Sequence, residues 1–149
     1  MGKHAGITIK SARELAYMRE AGRVVALTKK KLSEVIRPGV TTGELDRIAD
    51  REIKRLGAKP SFKGYMGFPA TICTSINEEI VHGIPSDRRV IRKGDVLSVD
   101  VGAIVTGFHA DSAFTIGVGD TSDEAQRLID ATRESLRLGI AQANVGARI

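Results

Sequence analysis

SVDVGAIVTGFHADSAFT, Ser98 to Thr115, decides how the chain folds. Apolar and small residues fill two runs on either side of Thr106-Gly107, a dipeptide suited to a tight reversal, so the stretch reads as a β-hairpin. With a two- or four-residue loop centred on Thr106-Gly107, Asp111 stands opposite Gly102, and Gly102 shares a face with Asp100. The two aspartates are then diagonal neighbours, with Cα atoms on the order of 7 Å apart. A three-residue loop would send them to opposite faces. Core strands normally exclude carboxylates, because an ionised one out of water is costly unless something positive pairs with it. The pair therefore calls for a nearby cation. A divalent ion held by both carboxylates is one solution; an Asp bonded to backbone amides or to an arginine is the plainer one.

Working outward, three amphipathic helices flank this region. Ser11-Ala-Arg-Glu14 is a capping box opening a helix with Leu15, Met18, Val25, Leu32 and Ile36 at helical spacing, stopped by Pro38-Gly39. Thr41-Thr-Gly-Glu44 opens a second, with Leu45, Ile48, Ala49, Ile53 and Leu56 on one face and Gly57 as its stop. Thr121-Ser-Asp-Glu124 opens a third, carrying Ala125, Leu128, Ile129, Leu136 and Ile140. Between the second and third helices, from about Ala58 to Gly119, the sequence is strand-rich and punctuated by turn signals. Helices, then strands, then a helix predict an α+β fold, an antiparallel sheet backed by helices.

The 149 residues, 42% hydrophobic and 28% charged, suit one globular domain and exclude a disordered chain. The single cysteine, Cys73, excludes an intramolecular disulfide, and no apolar segment near the N-terminus serves as a signal or a membrane span, so a cytoplasmic setting without membrane is expected. A net charge of +5, drawn largely from Lys29 to Lys31, Arg88, Arg89, Arg92 and Lys93, favours acidic partners or a solvated basic surface.

Five blocks carry a family resemblance: Gly64-Tyr-Met-Gly-Phe-Pro69, Thr71-Ile-Cys-Thr-Ser-Ile-Asn-Glu78, Val81-His-Gly-Ile-Pro85, Gly94-Asp-Val-Leu-Ser-Val-Asp-Val101 and Gly107-Phe-His-Ala-Asp111. In order and spacing they resemble type I methionine aminopeptidases, metallopeptidases of the pita-bread fold shared with Xaa-Pro peptidases and creatinase. The resemblance implies removal of the N-terminal methionine from new polypeptides with a small second residue, by hydroxide activated between two divalent metal ions, Co, Mn, Fe or Zn. It matches Asp100 to a ligand of one metal and Asp111 to the carboxylate that bridges both. His82 matches the histidine that contacts substrate near the scissile bond. Tyr65, Phe68 and Cys73 match positions lining the pocket for the methionine side chain, a mostly apolar and adaptable slot.

Members of that family continue further and complete the site with a histidine and two glutamates. The expectation is therefore that residues 1–149 form the N-terminal part of a single pita-bread catalytic domain, inactive alone and either joined by the C-terminal half or self-associating. His109 and His4 are poor substitutes, one lying further along the strand and the other near the terminus. Met66 stands where many members carry histidine. Expected partners are the N-termini of nascent chains and the ribosome, with Lys29 to Lys31 as a docking run. A non-catalytic module binding ribosome or RNA and a proline-specific aminopeptidase are the rival readings.

Overall fold

The computed structural model describes residues 8–148. Helix α1 (Ala12–Val35) starts where the capping box predicts: Glu14 N–H donates to Ser11 Oγ and the Ser11 N–H donates to the Glu14 carboxylate, so two otherwise orphaned donors are satisfied reciprocally. Helix α2 (Thr42–Arg55) is capped by Thr41, whose Oγ1 accepts from Glu44 N–H. Helix α3 (Asp123–Gln142) has Ser122 as its cap, accepting from Ala125 N–H, one residue later than Thr121 predicts.

Four strands form one antiparallel sheet: β1 (Lys59–Pro60), β2 (Ile72–Ile76), β3 (Val96–Val105) and β4 (Phe108–Gly117). Strand β3 is the spine. It pairs with β4 along its whole length, and with β2 and then β1 on the other side, Ile72 opposite Val101 and Pro60 opposite Ala103. The predicted strand-rich segment is thus interrupted. Residues 77–95 are loops that fasten onto the framework through Thr74 N–H to Gly83 C=O, Gly39 N–H to Ile91 C=O and Ile91 N–H to Val40 C=O.

The pleat sorts β3 into two faces. Leu97, Val99, Val101 and Ala103 are fully buried against the helices, while Ser98, Asp100, Gly102 and Ile104 look the other way. Helix α1 lies across β3 and β4 with Ala21, Val24, Val25, Thr28 and Leu32 inward, and α2 contributes Leu45, Ala49 and Ile53. Leu15 and Met18, expected on the α1 core face, are partly exposed, because the buried stripe runs through Ala21, Val24 and Thr28 further along. In α3 only Ile129 is buried, and Leu128, Leu136 and Ile140 are left in solvent, so its predicted face exists without a partner among the described residues.

Candidate functional site

The hairpin turn fixes the site. Strand β3 ends at Val105 and β4 begins at Phe108, leaving a two-residue loop in which Thr106 (φ 49°) and Gly107 (φ 83°) both take positive φ, the combination whose twist matches a hairpin. Glycine at the second position adopts it freely. The register follows: Gly102 opposes Asp111 and Asp100 opposes Ala113. Both aspartates therefore project from the face away from the helical core, as the pleat argument predicts. On the other flank of β3, Cys73 opposes Asp100, so Cys73, Asp100 and Ala113 form one cross-strand row.

The two carboxyls sit in unequal surroundings. Asp111 is exposed and Asp100 is half-buried, with its Oδ1 enclosed and without a hydrogen-bond partner. Among the described residues the other side-chain oxygens in that condition are neutral hydroxyls, on Thr28 and Thr74. Burial pushes the Asp100 carboxyl up to about 6; the neighbouring Asp111 carboxylate, close enough to share a proton, pushes the same way, and the Val101 N–H and His82 oppose it. The same field reaches Cys73, whose thiol is pushed up to about 11 by burial and then by Asp100, Asp111 and Asp46. Neither Asp100 nor Asp111 forms an ion pair among the described residues.

Lys29 is a candidate for the missing cation, and it is engaged elsewhere. Its Nζ donates to Ser112 Oγ at 2.7 Å and to the Ala113 carbonyl at 2.8 Å, and lies 5.8 Å from the centre of the Phe114 ring. Burial draws its ammonium below the ordinary lysine range, while Asp100 works against that. Lys29 is thus turned onto β4 and Lys31 faces Glu34, so the basic run does not present one joint surface.

An orphaned carboxylate oxygen beside a second carboxylate, with no ion pair to neutralise them, fits a divalent ion held by hard oxygen donors. The fit covers part of a coordination sphere: among the described residues no group of three or more metal-binding side chains comes together. His109 shares the face of Asp111, yet its Nδ1 lies 3.3 Å from Ser61 Oγ. His4 lies outside the described residues.

His82 takes a left-handed backbone (φ 58°) in the loop fastened beside β2, exposed and within reach of Asp100. For a histidine that conformation is uncommon and costs energy, which the surrounding bonds, Thr74 N–H to Gly83 C=O and Gly83 N–H to Ser75 Oγ, hold in place. Tyr65 and Phe68 stand on a separate tight coil, where Met66 also has positive φ (47°); Tyr65 is 70% exposed and Phe68 half-buried. Asp100, Asp111, Cys73 and His82 are brought together, whereas Tyr65 and Phe68 stay on their own coil, whose root packs on the sheet.

That root is Phe62, which sequence reasoning missed. A Cβ at Gly102 would come within 2.5 Å of the Phe62 ring, so Phe62 covers the strand position opposite Asp111. The available signal was Gly102 itself, since glycine inside a strand marks close approach of another group. Asp46 was missed as well: from α2 its Oδ1 accepts from Thr71 and Ile72 N–H at 2.7 and 3.0 Å, fixing the start of β2 just before Cys73.

Comparison with known proteins agrees with this geometry. The chain is 53% identical over 143 residues to methionine aminopeptidase 1 of Bacillus subtilis, covering 96% of this chain and 57% of that protein. The crystal structure of methionine aminopeptidase from Thermotoga maritima superposes with a TM-score of 0.89 at 39% identity, over 93% of this chain and 55% of that one. The prolidase from Pyrococcus furiosus shares the fold at a TM-score of 0.76 and 23% identity, over 87% of this chain and 36% of that one. The fold is the pita-bread α+β arrangement, and the chain spans little more than half the length of the relatives it matches. With the model of metallopeptidase family M24 matching residues 16–149, a carboxylate pair bared on the open face of the sheet has its explanation in descent as well as in chemistry: the chain belongs to that family.

Proposed function

We propose that the chain is the N-terminal part of a methionine aminopeptidase catalytic domain, which removes the N-terminal methionine from nascent polypeptides with a small second residue in the cytoplasm. What carries this reading is the half-buried Asp100, its Oδ1 orphaned and Asp111 on the same face, in a chain 53% identical to a methionine aminopeptidase. Asp100 and Asp111 would hold the metal, Asp100 from its half-buried position and Asp111 from the exposed side. A bound pair of divalent ions, Mn, Fe, Co or Zn, supplies Lewis acidity and an activated water at neutral pH. His82 directs its imidazole toward the scissile bond from a loop fastened to β2. Cys73, Phe68 and Tyr65 line the slot for the methionine side chain; the raised pKa of Cys73 keeps its sulfur a neutral thiol, suited to packing on a thioether.

Two aspartates offset only two of the four positive charges on such a metal pair; the family resemblance implies that a histidine and two glutamates would supply the remaining ligands. The rival proline-specific reading is disfavoured: the Xaa-Pro dipeptidase from Bacillus anthracis superposes at a TM-score of 0.74, below the 0.89 of the methionine enzyme.

The test is calorimetric and kinetic. The 149-residue chain is titrated with Mn or Co and assayed on a Met-Ala-Ser peptide, beside a version extended to the length of the Bacillus subtilis relative. Weak single-site binding and no turnover are expected for the short chain, with turnover in the extended one that Asp100→Ala or Asp111→Ala reduces by about a thousandfold or more. Full activity of either variant would show that these aspartates do not hold the metal, and absence of turnover in the extended chain itself would favour a non-catalytic module.

A further inference from the structure

At the end of β2 and β3 remote from the turn lies a second concavity, of about 300 Å³, lined by Asn77, Arg88, Arg89, Arg92 and Asp95 among others. It stands apart from the carboxylate pair: Asp95 precedes Asp100 by five residues along an extended chain, on the order of 17 Å. Its floor is rigid. Asn77 holds a left-handed backbone (φ 56°), donates through Nδ2 to Asp95 Oδ1 and accepts from Val96 N–H, while Asp95 Oδ2 accepts from Arg92 N–H. Both oxygens of Asp95 accept from neutral donors, and no guanidinium pairs with it among the described residues. Arg89 pairs with Glu79 at 3.1 Å. Arg88 and Arg92, both lining the concavity, form no ion pair and no side-chain hydrogen bond among the described residues, so both guanidiniums are free for a ligand there.

We propose that this concavity binds a phosphate group, gripped by the Arg88 and Arg92 guanidiniums. A carboxylate has two oxygens and is satisfied by one guanidinium fork. A phosphate has three or more, so it can receive two forks at once, and the rigidity of guanidinium geometry makes that match specific. The source is either a free phosphate compound or the backbone of an unpaired nucleic-acid strand. This site is independent of the carboxylate pair.

The metal-free 149-residue chain, in EDTA, is titrated with pyrophosphate, with a single-stranded RNA dodecamer and with a hexaglutamate peptide. Pyrophosphate or RNA is expected to bind at least about tenfold tighter than hexaglutamate, and Arg88→Lys/Arg92→Lys, which conserves charge but removes the forks, to weaken phosphate binding by about tenfold or more. Arg133→Lys/Arg137→Lys on α3 is expected to change nothing. RNA bound more tightly than pyrophosphate, with a steep loss in salt, assigns the backbone as the source; pyrophosphate bound as tightly assigns a free phosphate. Hexaglutamate binding as well as the phosphates, an unchanged affinity in the Arg88/Arg92 variant or an equal loss in the α3 control would overturn the proposal.

Discussion

Asp100 concentrates the energetics of the site in one side chain. Burial, and then the Asp111 carboxylate, push its carboxyl up to about 6 in the folded metal-free chain, above the ordinary aspartate value of 3.8. A raised carboxyl favours the folded state when protonated. The contribution is complete below about 3.8 and lost as pH rises through about 6. In EDTA, wild-type stability measured by urea unfolding should therefore gain ~2 kcal/mol from this group between pH 8 and pH 4, and Asp100→Asn should flatten that part of the profile. Parallel profiles for the two proteins would refute the assignment. Cys73 offers a second check at this scale. A thiol pushed up to about 11 and 5% exposed is a poor nucleophile, so iodoacetamide at pH 8 should modify it at least about tenfold more slowly than in urea-unfolded chain. The shared face of the aspartates was legible from spacing for a two- or four-residue loop, while the sequence left a three-residue loop open until the turn at Thr106-Gly107 was seen. Phe62, Asp46 and Lys29 were not, since each acts through a contact with residues far along the chain that no local pattern records.

At the scale of elements, the hairpin converts loop length into chemistry. Inserting one glycine between Phe108 and His109 leaves the two-residue loop and the Val105–Phe108 pair in place and moves every later side chain of β4, Asp111 included, to the other face relative to β3. Metal binding should disappear in calorimetry while far-UV circular dichroism remains close to wild type. Thr106→Gly, at a position with φ 49°, should stabilise the chain by up to ~1 kcal/mol in urea, because a β-branched residue is strained there and glycine is not. The helices divide in the same way. Helices α1 and α2 were legible from caps and apolar spacing, but which residues of α1 face the sheet was not: bulky Leu15 and Met18 lie near its start, while smaller Ala21, Val24 and Thr28 sit where β3 and β4 approach.

For the whole molecule, the open flank of the sheet and the bare stripe of α3 matter together. Leu128, Leu136 and Ile140 are 69%, 64% and 65% exposed, spaced along one side of a helix that buries only Ile129. Apolar surface of this kind seeks cover. Sedimentation of the 149-residue chain should show association that grows with concentration, and Leu128→Gln/Leu136→Gln/Ile140→Gln should return it to monomer. A monomeric wild-type chain at high concentration would mean that α3 is covered from within. The amphipathic pattern of α3 was legible in the sequence; the absence of a partner was not, because a stripe reports that something packs there without saying what.

The short reach of the hairpin also sets an order of events in time. Asp100 and Asp111 are joined through a loop of two residues, so their strands zip on the timescale of a local hairpin, about 1–10 μs. Pairing of β2 with β3 must close the long 77–95 loop and is slower. The carboxylates thus meet while still in water, and the cost of desolvating Asp100 falls due when β2 brings Cys73 beside it. Proton uptake by the pair belongs to that late step. Acidification should then slow unfolding more than it accelerates folding, visible as a shift of the unfolding arm of a chevron plot, with the folding arm nearly fixed.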